Sequence, residues 1–288
     1  MEYLPNIRDI KRRIRAVTNT QQITRAMKMV AASKMRRVQD QLWAARPYAQ
    51  KLTEVAGRLA LAPEARELPL VAAREVKTVG YVLITGDRGL AGAYNSNLIH
   101  LAERSLNEEE NRVNLVTIGR KGFHYFRQRG VEILQHSVEI EDDPQLTQAR
   151  ELARELISFF LKGRLDEVNL IYACFHSALD HVAQVERLLP IETPTLEEAE
   201  EIGYIYEPEP MGILTALLPR YCETKVYQAL LEAKASEHSA RMIAMDGATS
   251  NADEMIESLN LSYNKARQSA ITTEILEVAT GAEALKDR

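Results

Sequence analysis

The sequence has few of the residues that mark catalytic or metal-binding proteins. Its only cysteines are Cys174 and Cys222, and its six histidines are scattered along the chain. No CxxC, HExxH or mixed Cys/His cluster occurs, and no Ser/His/Asp or Cys/His triad follows from the spacing. We therefore predict no catalytic residue and no metal site, and we expect both cysteines to be reduced and structural.

Long hydrophobic runs are also absent. The longest ones, at residues 79–85 and 168–175, have the length of a strand and fall well short of the ~20 residues of a membrane-spanning helix. The first six residues lack the basic flank and apolar core of a secretory signal. We expect a folded protein in a cytosol-like compartment.

Phosphate-binding motifs are missing as well. The pattern GxxxxGK[ST] does not occur, and the glycines of residues 86–92 are spaced GxxGxxG instead of GxGxxG. The structural interpretation is that these glycines permit a tight strand-to-helix turn. No cofactor is predicted.

Both ends of the chain carry a heptad repeat, which is typical of coiled coils. The N-terminal repeat is carried by two series: Ile7, Ile14, Gln21, Lys28, Met35, Leu42, Ala49, and Ile10, Val17, Thr24, Ala31, Val38, Ala45, Leu52, Leu59. The C-terminal repeat is carried by another set: Leu214, Leu217, Tyr221, Leu231, Ala235, Met242, Met245, Ala252, Ile256, Leu259, Tyr263, Ala266, Ala270. We predict that the two helices pair as an antiparallel shaft, with the C-terminal one spanning roughly 110 Å, and that the first begins near Asn6 and is kinked or ended by Pro47.

Strands and helices alternate between these ends. The predicted strands cover residues 76–85, 113–118, 132–137, 168–175 and 182–188, and the predicted helices cover 95–106, 121–129 and 145–161. Alternation of this kind favours a Rossmann-like, mostly parallel sheet covered by helices. The predicted organisation is a coiled-coil helix (1–60), a linker (61–75), a central α/β domain (76–190), a connecting segment (191–209) and a second coiled-coil helix (210–288).

Charge is unevenly distributed. The net charge is −5, yet residues 1–60 carry 13 Lys or Arg against four Asp or Glu. The basic arm is interpreted either as the partner of the acidic C-terminal helix or as a surface for nucleic acid or an acidic protein, and charge alone does not separate these.

The heptad repeat itself is interrupted by polar residues. Gln21, Thr24 and Lys28 occupy three consecutive core positions, and residues 264–274 crowd amide, guanidinium and hydroxyl groups on the C-terminal helix. One explanation is a polar contact that sets the register between the helices. The other is that this level of the shaft contacts another protein.

At these residues the chain resembles the gamma subunit of F-type ATP synthases. The resemblance is carried by residues 19–37, by the turn and helix start at 86–95, and by residues 236–249, 263–268, 271–275 and 281–282. It runs through the whole chain in order. Many members of the family have cysteine where this chain has Ala91.

The resemblance implies a central rotor shaft that couples ion flow to ATP synthesis without itself being catalytic. Its expected partners are the alpha and beta subunits of the catalytic ring, the epsilon subunit and the c-subunit ring, with a single copy per complex and no nucleic acid. Chloroplast-type members carry an insertion with a cysteine pair that is missing here, so we expect a bacterial type at the cytoplasmic side of the cell membrane, as a peripheral protein.

The resemblance also implies contact residues. Six of them are expected to face the alpha/beta ring: Met27, Lys28, Arg267, Gln268, Thr272 and Glu274. Three more, Tyr204, Tyr206 and Glu207, are expected to contact epsilon and the c-ring.

Two other functions would each explain part of the sequence. A basic coiled-coil nucleic-acid-binding protein would explain the charged arm but leaves residues 264–274 unexplained. A nucleotide-dependent α/β enzyme would explain the sheet but requires the phosphate loop that is missing.

Overall fold

A computed structural model of the chain describes residues 7–59, 65, 67–72, 74–137, 142–191 and 210–286. In chain order, the elements are α1 (Ile7–Leu59), β1 (Thr78–Ile84), α2 (Tyr94–Glu108), β2 (Arg112–Ile118), α3 (Arg120–Gln128), β3 (Ile133–Ser137), α4 (Leu146–Leu161), β4 (Glu167–Phe175), β5 (His181–Leu189) and α5 (Pro210–Lys286). All eight strands and helices predicted between the two ends are present, which confirms the α/β alternation.

Of the two effects expected of Pro47, an end to the first helix is wrong, because α1 continues through it to Leu59; a kink stays a prediction. A proline inside a helix removes one backbone hydrogen bond. Buried side chains on both sides of Pro47, Leu42 before it and Leu52 and Ala56 after it, offset that loss by packing. The expected cap at Asn6 lies outside the described residues.

The five strands form one sheet in the order β3-β2-β1-β4-β5. The β1–β2, β1–β4 and β2–β3 pairs are parallel, and β5 joins β4 in the antiparallel sense. The predicted mostly parallel sheet is confirmed. The chain reverses direction across the sheet between β1 and β4, which is the topological switch point where open α/β folds commonly bind ligands.

Alternate side chains of the strands bury opposite faces of the sheet, as the period of two requires. Val82 and Ile84 lie in a core with α4 and the first half of α5. Tyr81 and Leu83 lie in a second core with α2 and α3. Leu70, within the range expected to be a linker, is buried in the first core, and its carbonyl accepts a hydrogen bond from the Ile191 amide at 2.8 Å.

The chain divides into two compact units, residues 1–30 with 242–288, and residues 31–241. In the first unit, the pairs Gln21–Asp253 and Lys28–Asp246 show that α1 and α5 run antiparallel. In the second, Val38 and Leu42 of α1 pack in one cluster with Leu231 and Ala235 of α5. The predicted antiparallel pairing of the terminal helices is confirmed, whereas the division into five segments stays a prediction.

Candidate functional site

The polar interruption in the heptad repeat of α1 has polar partners on α5. The Thr24 and Thr249 hydroxyl oxygens lie 2.8 Å apart, and both residues are buried. Lys28 Nζ donates to Asp246 Oδ1 at 2.5 Å, and Gln21 Nε2 donates to Asp253 Oδ1. These six residues form a polar layer within the first unit.

This polar layer favours the register explanation for Gln21, Thr24 and Lys28. Each threonine hydroxyl also lies within hydrogen-bond distance of a carbonyl of its own helix, that of Gln21 at 3.0 Å and that of Met245 at 2.7 Å. Sliding one helix along the other would therefore break the contact between the two hydroxyls but leave each with a partner, a loss of about 0.5–1.5 kcal/mol. The flanking ion pair of Lys28 is 40% exposed on the lysine side, so it contributes little by itself. The polar layer is therefore better explained by its effect on the register between α1 and α5 than by a contribution to stability.

The expected contact residues differ in exposure. Met27 and Lys28 are half-buried, whereas Arg267, Gln268, Thr272 and Glu274 are exposed. The Thr272 hydroxyl donates to the Gln268 carbonyl at 2.9 Å within the helix. Neither the Arg267 nor the Gln268 side chain has a partner among the described residues, so both are available to another molecule.

Every residue from 267 to 282 is exposed. Four large apolar residues lie in this stretch, namely Ile271, Ile275, Leu276 and Val278, with 43%, 62%, 59% and 69% of their surface exposed. Exposed apolar groups clustered in one place commonly mark a protein interaction site.

The residues expected to contact epsilon and the c-ring, Tyr204, Tyr206 and Glu207, lie outside the described residues. Within the described ranges, no helix combines the length and apolar composition needed to cross a membrane. The same part of the chain holds no group of three or more His, Cys, Asp or Glu residues that could bind a metal.

The second unit places α5 against the carboxyl edge of the sheet. Residues 229–240 of α5 are all buried, although they include the polar residues Glu232, Lys234, Ser236, Glu237, His238 and Ser239. A helix buried on all sides normally has an apolar sequence. Each polar group therefore requires a partner.

Some of these partners lie on α5 itself, because Gln228 donates to Glu232 and Lys234 donates to Glu237. Other bonds join α5 to loops and strand ends around the switch point. Tyr94, at the start of α2, donates its hydroxyl to the Ala233 carbonyl at 3.0 Å. Ser236 donates to the Ala173 carbonyl of β4 at 3.1 Å, and the Ser239 hydroxyl donates to the Ala178 carbonyl. We call these contacts, together with those of Glu237, the crevice contacts.

Glu237 lies at the turn that follows β1. A Cβ atom placed on Gly86 would lie 2.9 Å from the Glu237 carboxylate, so a larger residue at this position would require the carboxylate to shift. The carboxylate accepts from Arg241 Nη2 at 2.6 Å and from Lys234 Nζ at 3.3 Å. The Arg241 guanidinium also donates to the Gly89 carbonyl at 3.4 Å. In a doubly wound fold this position would hold a ligand phosphate; here it is occupied by a side chain of α5.

Burial and neighbouring charges act on the titratable groups in opposite directions. Burial by itself would raise the pKa of Glu237, but Lys234 and Arg241 outweigh it, and the pKa lies below its usual range. Burial lowers the pKa of His238 to about 4, despite the nearby carboxylates of Glu237 and Asp142. At neutral pH Glu237 is therefore charged and His238 neutral.

The sequence analysis did not predict the crevice contacts. It treated residues 86–92 only as a tight turn and residues 236–249 only as a family motif. A usable signal was present, because Ser236, Glu237 and His238 interrupt an otherwise apolar stretch of a predicted helix. The partner of Ser236, Ala173, lies 63 positions away, and Tyr94 lies 139 positions from Ala233, whose carbonyl it contacts; neither contact carries a local signal.

Comparisons with known proteins agree on the class. The family described as ATP synthase matches residues 6–285. The ATP synthase gamma chain of Moorella thermoacetica is 61% identical over 98% of this chain and 100% of its own length. That of Desulfitobacterium hafniense is 50% identical over the same shares.

Solved structures give the same result for the fold. A chain from the central stalk and c-ring of the Tetrahymena thermophila mitochondrial ATP synthase has a TM-score of 0.61 and 28% identity, over 78% of this chain and 99% of that one. A chain of the Euglena gracilis mitochondrial enzyme has a TM-score of 0.66, over 97% and 94%, and at 20% identity it supports the fold alone. The chain thus is a subunit of the ATP synthase class, and it belongs to the gamma chain family.

Proposed function

We propose that this chain is the central rotor shaft of a proton-translocating F-type ATP synthase of bacterial type. It turns with a c-subunit ring in the membrane and forces the catalytic sites of the surrounding alpha and beta subunits through their successive states. Ion flow and ATP synthesis or hydrolysis are coupled through it. One copy serves each complex.

The exposed end of α5 is the observation that carries this proposal. Residues 267–282 present large apolar side chains beside Arg267 and Gln268. Exposing such a surface to water is unfavourable, and a surrounding ring of alpha and beta subunits would cover it. Thr272 and Glu274 lie on the same stretch, and Met27 and Lys28 of α1 are the further proposed ring contacts.

The basic arm supports the same function over nucleic-acid binding. Two of its lysines already have acidic partners within the chain, Lys28 with Asp246 and Lys34 with Asp142. Charges neutralised within the chain contribute less to a phosphate-binding surface. The remaining positive charge suits acidic loops of the ring, where screened charge pairs can exchange as the shaft turns.

The residues that contact the epsilon subunit and the c-ring are proposed from the resemblance to the family. Tyr204, Tyr206 and Glu207 are proposed to meet the epsilon subunit and the c-ring. This places the chain at the cytoplasmic side of the cell membrane as a peripheral protein. The chain is proposed to be non-catalytic, with chemistry confined to its partners.

Rotation can be tested directly. The full chain is assembled with its alpha and beta subunits, the ring is fixed to a surface, and a visible probe is attached to this chain. We expect ATP to drive rotation of the probe in one direction. ATP hydrolysis by the complete assembly with the probe stationary would contradict the proposal.

A further inference from the structure

We propose that the crevice contacts are the joint that transmits torque between the sheet and α5, and that Glu237 is its central positioning residue. The inference rests on the proposed rotor function and adds to it the place where force passes between the α/β part and the helix. Each residue of this joint acts by holding α5 in one orientation.

The directions of the contacts carry the inference. Successive helical residues are turned by about 100°, so Ser239, Ser236 and Glu237 together cover about 160° of the helix circumference. Ser239 and Ser236 donate hydrogen bonds to the carbonyls of Ala178 and Ala173, and the Glu237 carboxylate lies close beside Gly86. Rotation of α5 about its own axis would break all three contacts at once.

The opposite side of the helix is closed by apolar packing. Leu231 and Ala235 pack with Val38 and Leu42 of α1 and with Phe175 at the end of β4. An apolar contact alone resists turning weakly, because hydrophobic burial has no preferred direction. Hydrogen bonds are directional, so the bonds that Ser236 and Ser239 donate to residues outside α5 are the part that resists torque.

The stability of the folded chain does not by itself explain why residues 229–240 of α5 contain so many polar residues. Replacing buried, paired charges by apolar residues of similar volume is often neutral or stabilising. A helix selected only to fill the crevice would therefore be apolar. Lys234, Glu237 and Arg241 form a linked set within α5, with the Glu237 side chain 95% buried and bonded to both cations. The set reaches the turn after β1 through Arg241, which donates to the Gly89 carbonyl at 3.4 Å, so Glu237 acts by holding Arg241 toward that turn.

The test uses the complete ATP synthase in inverted membrane vesicles. A double variant, Tyr94→Phe with Ser236→Ala, removes the hydrogen bonds that join α5 to the start of α2 and to β4, and it deletes only one oxygen from each side chain. Its matched control, Tyr81→Phe with Ser105→Ala, removes a 3.2 Å tyrosine bond to Glu109 and a 3.1 Å serine bond within α2. Neither control bond involves α5.

The readout is the number of protons pumped per ATP hydrolysed, followed by quenching of a pH-sensitive dye beside the hydrolysis rate. We expect this ratio to fall by about twofold or more in the double variant, because the joint slips under load when directional bonds are lost. The control should keep the wild-type ratio. A purely structural role would reduce both rates in proportion and leave the ratio unchanged, and that result would overturn the proposal.

If the double variant fails to assemble, Glu237→Gln decides the question. Glutamine keeps the size of the side chain but loses the charge that Lys234 and Arg241 hold, and a wild-type ratio in this variant would overturn the proposal. A failure of the proposed rotor function would give a different result. In that case vesicles assembled with and without the wild-type chain would pump protons equally.

Discussion

Two stretches of α5 differ in how the polarity of their residues relates to their burial. Residues 229–240 of α5 are buried throughout and contain six polar residues, whereas residues 267–282 are exposed throughout and contain four large apolar ones. Within a single folded chain, burial should select apolar residues and exposure polar ones. The inversion shows that neither stretch is explained by the stability of the chain alone: one positions the helix on the sheet, and the other is suited to a partner.

Breaking α5 between these stretches should have the largest effect. Ala252→Pro removes a helix hydrogen bond and costs ~3 kcal/mol or more locally, so torque applied at one stretch would not reach the other. We expect loss of proton-driven ATP synthesis in vesicles that contain the variant at normal stoichiometry. Ala252→Gly, which costs about 1 kcal/mol, is the control and should retain synthesis; equal synthesis by both variants would count against a stiff shaft.

The effect of burial on stability can be measured by replacing a leucine with alanine in each of the two stretches. Leu231→Ala creates a cavity at a fully buried position and should lower the free energy of unfolding by about 2–5 kcal/mol. Leu276→Ala, at a position 59% exposed, should change it by about 0.5 kcal/mol or less. Urea unfolding of the purified chain provides both values. Equal losses would show that the end of α5 is packed within the chain itself.

The buried stretch should also respond to acid. Because the pKa of His238 is lowered to about 4, the unfolded chain binds a proton below pH 6.5 that the folded chain does not. Stability therefore falls as the pH falls through this window. By the shift in pKa, His238 accounts for about 2 kcal/mol of loss between pH 7 and pH 5.

His238→Gln should remove most of that loss, measured as the difference between unfolding free energies at the two pH values. His124→Gln, at an exposed position, serves as the control. Equal flattening by both substitutions would show that burial of His238 is not the cause.

The smallest effect on stability is expected at the exposed end. Arg267→Ala with Gln268→Ala removes side chains that have no partner among the described residues, so the free energy of unfolding should change by about 0.5 kcal/mol or less. Turnover should fall several-fold, because charge-assisted bonds to the ring are typically worth ~1.5–3 kcal/mol each. The two measurements are thermal unfolding of the purified chain and steady-state ATP hydrolysis of the assembled complex. A large loss of stability with normal turnover would make these residues part of the internal packing.

Much of the architecture was predictable because it depends on local patterns. Heptad repeats predicted α1 and α5, and period-two strands alternating with helices predicted the parallel sheet. Pro47 shows the limit of local reasoning: its effect on backbone hydrogen bonding is local, but the packing of Leu42 and Leu52 that offsets it is tertiary.

The sequence by itself determined the class of the protein, the positions of its helices and strands, and its lack of recognisable catalytic motifs. Only the tertiary structure decided which polar residues pair across the chain. The Thr24–Thr249 contact joins residues 225 positions apart, and Ser236 reaches Ala173 across 63 positions. Such pairs depend on the alignment of two helices and on where α5 crosses the sheet. No local pattern encodes that alignment, because it results from the summed packing of the whole fold.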